Sequence, residues 1–224
     1  MIICCGEALI DMISEPDGAT FVPHVGGAVL NTAVALGRLG VPTGLITGLS
    51  SDPFGLMIKT ALAASRVSTA HAVHNDRNTT LAFVHLENGQ ATYSFYDDNT
   101  ATRKITTADL KTLPHDTEAI FFGGISLCNP PVADTLVEIA LAQPADKLVM
   151  IDPNIRPNFI TDKTAYSSRL KSLLVRADIV KLSDDDINWL IEGNASLVEK
   201  GHAVLAMGPK LLLLTQGSSG ATAL

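Results

Sequence analysis

The stretch Lys147-Leu148-Val149-Met150-Ile151-Asp152-Pro153-Asn154-Ile155-Arg156-Pro157 joins an apolar run to a polar turn held between two prolines. The run over 147–151 has no alternation that would leave one face wet. This predicts a strand covered by helices on both sides, as in a largely parallel sheet. Five more runs read the same way: Ile2 to Cys5, Gly44 to Thr47, Ala119 to Phe122, Ile179 to Lys181 and Leu211 to Thr215. Helical spacing is predicted between them, over Ala28 to Leu39, Pro53 to Ala64, Pro130 to Ala142, Thr164 to Arg176 and Asp184 to Ile191. In the first of these, Val29, Ala33 and Leu36 share a stripe and Gly40 marks the stop. Strands alternating with helices predict an α/β fold, a doubly wound and mostly parallel sheet flanked by helices.

One region departs from this rhythm. Thr79 to Tyr96 reads as two alternating strands joined at Asn88-Gly89, a strong hairpin signal. Leu9 to Ser14 and Thr20 to Pro23, around the turn Pro16-Asp17-Gly18, are expected to join them. Residues 9–24 and 79–97 thus form a small antiparallel β layer beside the main body, either a lid over a cleft or a contact between copies. Its open strand edges need covering or charge, which points to a homodimer through this layer.

The 224 residues include 16 Lys and Arg against 23 Asp and Glu, a net charge of −7, and 46% are apolar. At roughly 150 residues per domain this is a single domain, residues 1–224, with a sizeable core. The acidic balance and the lack of a basic cluster argue against nucleic acid and against an anionic membrane surface as partners. No apolar stretch approaches the ~18 residues needed to span a bilayer, and the start has no basic leader. Cys4, Cys5 and Cys128 make a poor disulfide framework and read as core residues of a protein in a reducing cytoplasm. His71 and His74 have no Cys or carboxylate spaced to complete a zinc site.

The polar groups that could carry chemistry follow the strands. Neither G-x-x-x-x-G-K-[ST] nor G-x-G-x-x-G occurs, so P-loop and dinucleotide readings lose their support. Gly26-Gly27 leads into a helix with Asn31 in its first turn. This is either a place where backbone N–H groups approach a polar ligand or a plain loop-to-helix junction capped by Asn31. Asp11 follows the first strand, where α/β sheets place ligand groups, and a carboxylate there suits paired sugar hydroxyls. Asn154 and Arg156 sit on a proline-stiffened strand end suited to a phosphate or substrate oxygen, unless Asp152 simply pairs with Arg156. Lys181-Leu182-Ser183-Asp184-Asp185-Asp186 ends a strand and starts a helix. Ser183 reads as an N-cap, with the acids either complementing the helix dipole or serving hydrated Mg²⁺. Thr215-Gln216-Gly217-Ser218-Ser219-Gly220 is either an approach to a triphosphate or an ordinary hairpin.

Taken in order, six segments resemble the phosphofructokinase-B family of carbohydrate kinases, which includes ribokinase, fructokinase and 2-keto-3-deoxygluconate kinase. They are Gly6 to Asp11, Gly26-Gly27-x-x-x-Asn31, Ser51-Asp52-x-x-Gly55, Asp152-Pro153-Asn154-x-Arg156, Lys181-Leu182-Ser183-Asp184 and Thr215-x-Gly217-x-x-Gly220, with the β layer between the third and fourth. Phe122 to Leu127 and Asp152 to Arg156 look most like the fructokinase branch. The resemblance implies a ribokinase-like fold and ATP-dependent phosphorylation of a keto sugar, most readily fructose. Asp11, Gly26, Gly27, Asn31 and Asn154 would hold the sugar, with Arg156 beside the substrate or transferred phosphate. Lys181, Ser183, Thr215, Gly217 and Gly220 would line the ATP site, and Asp186 would organise Mg²⁺ through water. Ser183 and Asp186 stand where the family has Asn and Glu, and Asp97 follows Phe95-Tyr96 where related fructokinases often carry Arg. The family's Gly-Ala-Gly-Asp segment, with its general base, is absent. The expectation is therefore a C-terminally incomplete chain, inactive by itself, in which no residue is given the base. The alternatives are a non-catalytic sugar- or nucleotide-binding protein of the same fold, a 2-keto-3-deoxygluconate kinase and a ribokinase.

Overall fold

The computed structural model describes residues 1–87 and 90–224. The chain begins with β1 (Ile2–Cys5), β2 (Leu9–Ser14), β3 (Phe21–Gly26), α1 (Ala28–Arg38), β4 (Thr43–Ile46), β5 (Gly48–Ser50) and α2 (Pro53–Ala64). Four short or lid strands follow: β6 (Val67–Ser68), β7 (Val73–Asn75), β8 (Thr80–Glu87) and β9 (Gln90–Tyr96). The second half holds β10 (Ala119–Gly123), α3 (Val132–Leu141), β11 (Leu148–Asp152), α4 (Lys163–Arg176), β12 (Ile179–Ser183), α5 (Asp184–Leu190), α6 (Leu197–Leu205), β13 (Leu211–Thr215) and β14 (Ala221–Ala223).

The main sheet has the order β14-β13-β12-β11-β10-β1-β4-β6 and is parallel throughout except for the β13–β14 pair. β1, β4 and β10 are buried on both faces, as their lack of alternation requires, whereas β11, β12 and β13 bury alternate residues fully and leave the others half-buried, with Leu148 exposed, which corrects the expectation for these three strands. Ile3 and Cys5 of β1 join a core with Phe122, Leu136 of α3 and Tyr166, Leu170 and Leu174 of α4. Cys4 points the other way, into a core with Val29, Leu30 and Ala33 of α1 and Ile58 and Leu62 of α2. The two adjacent cysteines thus serve opposite faces of one strand. Burial pushes the Cys4 and Cys128 thiols up to about 12, which leaves them as apolar packing groups. Truncating Phe122 or Tyr166, both at most 1% exposed, removes core volume of the kind that costs about 3–5 kcal/mol. Among the described residues no helix is long and apolar enough to cross a membrane.

The smaller layer is a four-stranded sheet, β3-β2-β8-β9. It is mixed, which corrects the antiparallel expectation: β2–β3 and β8–β9 are antiparallel, but β2 and β8 run parallel. Both of these strands leave the body in the same direction, so they lie parallel where they meet. β3 extends to Gly26 and pairs there with Leu9, so the layer covers 9–26 and 80–96. The predicted Asn88-Gly89 turn lies outside the described residues. The Pro16-Asp17-Gly18 turn is present: Asp17 Oδ1 accepts the N–H groups of Ala19 and Thr20, and Gly18 takes φ +69°.

Two carboxylates root this layer in the body. Asp52 caps α2 by accepting Gly55 N–H at 2.7 Å, and it also accepts Thr79 N–H and hydroxyl, each at 2.7 Å, just before β8. Gly55 is required here because a Cβ would lie 2.3 Å from the Ser50 carbonyl. At the far end of β9, Asp97 pairs with Arg103 at 2.9 Å and accepts the Thr80 hydroxyl at 2.9 Å, while Arg103 Nε donates to the Pro130 carbonyl at 2.7 Å. Burial raises the Asp97 carboxyl, and Arg103 and Thr80 oppose that rise.

The Asp52→Ala chain is expected to lose about 1–2 kcal/mol in urea unfolding, the usual value of such a cap. Burial works against the Asp52 carboxylate, but the donors from Gly55 and Thr79 outweigh it and lower its pKa. Its stabilisation is therefore present above the unfolded value of roughly 3.9 and is lost as pH falls through the lower folded value. A urea midpoint series across that window is expected to fall more steeply for the unsubstituted chain than for Asp52→Ala.

Candidate active site

The order of the main sheet reverses at β1. From β1 the chain builds outward through β4 and β6, then returns to place β10 on the other side of β1 and continues to β13. Loops leaving the carboxyl ends of β1 and β10 diverge to opposite faces there, and a crevice opens between them. A cavity of 180 Å³ occupies this crevice under the lid. Glu7, Leu9, Asp11, Gly27, Asn31, Ile125, Asn154 and Arg156 line it, with Tyr93 and Phe95 from β9.

The sequence-predicted groups Asp11, Gly27, Asn31, Asn154 and Arg156 are thus brought to one cavity. Asp11 stands on β2 directly across from His24 on β3. Burial raises the Asp11 carboxyl, and the facing His24 pulls it back. Gly26 has a different part from the one expected. It does not line the cavity, but a Cβ there would lie 1.9 Å from Asp11 Oδ2, so its hydrogen is what leaves room for the carboxylate. Gly27 takes φ +110° at the start of α1, beside the Glu7 carbonyl. Asn31 is exposed and does not cap the helix. The cap comes from Glu7, whose Oε1 accepts the Ala28 N–H at 2.9 Å.

Asn154 adopts φ +44°, a conformation that Asn tolerates better than most residues. Its side-chain oxygen accepts Arg156 Nη1 at 2.8 Å, which fixes the guanidinium over the cavity. Arg156 also lies 5.6 Å from the centre of the Tyr93 ring. Phe95 meets Phe159 at 4.8 Å, so β9 rests on the loop after β11 through two aromatic contacts. The alternative pairing of Asp152 with Arg156 does not form: Asp152 Oδ2 is 3.1 Å from Lys181 Nζ, and its Oδ1 is buried without a partner.

The remaining predicted residues stand outside this cavity, Lys181 in the middle of β12 and the others at or just past the ends of β12 and β13. Ser183 and Thr215 are the last residues of β12 and β13 and lie side by side in register. Ser183 caps α5, with its hydroxyl accepting Asp186 N–H at 3.0 Å. Asp186, 3% exposed, accepts Ser183 N–H on Oδ2 at 2.9 Å and Ile155 N–H on Oδ1 at 2.8 Å. It therefore ties the start of α5 to the turn that carries Asn154 and Arg156. Gly217 and Gly220 have φ +53° and +93°, and open space lies where a Cβ would stand on either. The turn between them also closes a hairpin, with Gln216 N–H on the Gly220 carbonyl at 2.8 Å. Among the described residues no group of three or more His, Cys, Asp or Glu side chains could hold a metal ion. A divalent cation here would be held through water and by its ligand's own oxygens.

Glu7, Tyr93 and Phe95 line the cavity without having been singled out for a role in the sequence. The two aromatics alternate along one lid strand, and that signal was present. Glu7 has no local signal, since its partners are far off in the chain.

The chain matches the model of the pfkB family of carbohydrate kinases over residues 1–224. It is 45% identical to a fructokinase of Rhizobium leguminosarum bv. trifolii, over 99% of this chain and 69% of that protein. It is 32% identical to a probable fructokinase of Arabidopsis thaliana, over 98% of this chain and 71% of that protein. Its fold superposes on the crystal structure of a Xylella fastidiosa fructokinase with bound ATP at a TM-score of 0.85 and 30% identity, covering 99% of this chain and 72% of that one. A family match from end to end, on a doubly wound sheet whose switch-point cavity is roofed by a β lid, places this chain in the pfkB family of carbohydrate kinases.

Proposed function

We propose that the cavity is the acceptor site of an ATP-dependent fructokinase. The observation that carries this reading is the convergence of Asp11, Gly27, Asn31, Asn154 and Arg156 on one small polar cavity of 180 Å³. That volume is below the roughly 300 Å³ where sites for drug-sized ligands begin, and it suits a single monosaccharide. The similarity to the Rhizobium fructokinase supports fructose over the other acceptors considered.

In this reading Asp11 accepts hydrogen bonds from two neighbouring hydroxyls, and Asn31 and Asn154 supply amide groups that discriminate their orientation. Arg156, held by Asn154, faces the oxygen that receives the phosphoryl group and offsets the charge gathering on it. Closure of the lid, with Tyr93 and Phe95 seated on the loop after β11, excludes water from the transfer. The open glycines Gly217 and Gly220 let a nucleotide approach the backbone beside Thr215, Ser183 and Lys181. ATP would supply the phosphoryl group, and Asp152, whose Oδ1 is buried without a partner, with Asp186 beyond it, would hold hydrated Mg²⁺ through water, which would supply charge screening for the transfer. No residue of this sequence is assigned the role of proton acceptor. The lid is also read as a dimer contact: its face opposite Asp11 carries Tyr96, 63% exposed, in an edge-on contact with Phe83. A cytoplasmic location goes with this activity.

Calorimetric titration is expected to show fructose binding to this chain, weakened at least about tenfold by Asp11→Ala and by Gly26→Ala, whose methyl group displaces the Asp11 carboxylate. Fructose binding unchanged in both variants would contradict the acceptor site. A coupled ADP-release assay over fructose, ribose, glucose and 2-keto-3-deoxygluconate, run on this chain and on the product of its full reading frame, is expected to favour fructose. Sugar binding with no turnover by either would instead support a binding protein. Light scattering at micromolar concentration is expected to give the mass of a dimer, and Tyr96→Asp that of a monomer.

A further inference from the structure

The mechanism above gives no part to Glu7, the acid at the floor of the cavity. It stands two residues past β1 and is 2% exposed. Its Oε1 accepts the N–H groups of Ala28 at 2.9 Å and Val29 at 3.4 Å. Its Oε2 accepts the Ser126 hydroxyl at 3.0 Å and the Ser126 N–H at 3.3 Å. Its backbone carbonyl accepts the Leu30 N–H at 3.3 Å. The partners of the two side-chain oxygens are N–H and O–H groups, with the Ser126 hydroxyl also 2.9 Å from the Gly123 carbonyl; burial raises the Glu7 carboxyl and these hydrogen bonds oppose that rise. The neighbouring backbone is shaped around this side chain. A Cβ on Gly124 would lie 2.0 Å from Oε1, and one on Gly27 would lie 3.2 Å from Cγ.

The free N–H groups at the start of a helix that follows a glycine turn ordinarily favour an anion. In α1 a side chain of the protein itself already fills that position. We propose that Glu7 is a positioning residue of the sugar cavity: it locks the start of α1 against the turn after β10, and so holds Gly27 and Asn31 in place at the cavity wall. The inference rests on reading the cavity as the acceptor site.

The test is calorimetry on the intact chain and two variants, with fructose as the probe. Glu7→Ala is expected to bind fructose at least about tenfold more weakly and to regain most of that loss when formate, but not chloride of equal ionic strength, is added. No loss, or a loss that formate does not recover, overturns the proposal. Glu7→Gln, which keeps the volume but sets an amide N–H₂ donor against the donors of Ala28 or Ser126, decides the matter if Glu7→Ala does not fold. It is expected to bind fructose at least about tenfold more weakly, and unchanged binding overturns the proposal. If the unsubstituted chain binds no sugar, the acceptor-site reading falls and takes this inference with it. Fructose binding by the unsubstituted chain, combined with either adverse result, refutes the role of Glu7 alone.

Discussion

Parallel pairing is the constraint from which the candidate site follows. Strands that all run one way bring their carboxyl ends to one edge of the sheet, and each must be followed by a crossover that leaves polar loop backbone at that edge. Here β1, β10, β11, β12 and β13 all end there, and so do Glu7, the turn at Gly124, Asn154 with Arg156, Ser183 with Asp186, and Thr215 with its glycines. No single motif assembles the cleft. The register of the sheet does, and three buried or half-buried carboxylates then hold the loops to one another: Glu7 joins the loop after β1 to α1 and to the turn after β10, Asp186 joins α5 to the loop after β11, and Asp152 joins β11 to Lys181 on β12.

The lid depends on the same logic at its roots. A layer of four strands has little core of its own, so its position over the cleft is set by what fixes its ends. Asp52 holds Thr79 at the start of β8, and Asp97 holds Thr80 from the end of β9 while Arg103 reaches across to Pro130. The aromatic contacts of Tyr93 and Phe95 with Arg156 and Phe159 are of a different kind. They are short-range, partly exposed and free of backbone hydrogen bonds, which suits a surface that must part to admit a sugar.

Much of this was legible in the residues. The six unalternating runs became β1, β4, β10, β11, β12 and β13, and five helices lie within two residues of their expected bounds. The groups predicted to hold a sugar meet in one cavity, Gly26 excepted, because strand ends are where such groups belong. Less was legible where pattern carries no direction. Alternation cannot tell a parallel from an antiparallel partner, so the β2–β8 pairing was hidden. β5 and β7, three residues each, are too short to show a period, and α6 was passed over although Ser196 and Glu199 form a capping box at its start. Glu7 was hidden for another reason: its side-chain partners lie 21, 22 and 119 residues away, and only the folded sheet brings them together.

The most direct test of the central claim, that the cleft between lid and α1 is a sugar acceptor site, is amide hydrogen exchange with and without saturating fructose. The account predicts added protection at residues 9–11, 27–31, 93–96 and 154–156, the four segments that border the cavity. Fructose binding with exchange unchanged in those segments, or protection confined to another part of the chain, would contradict it.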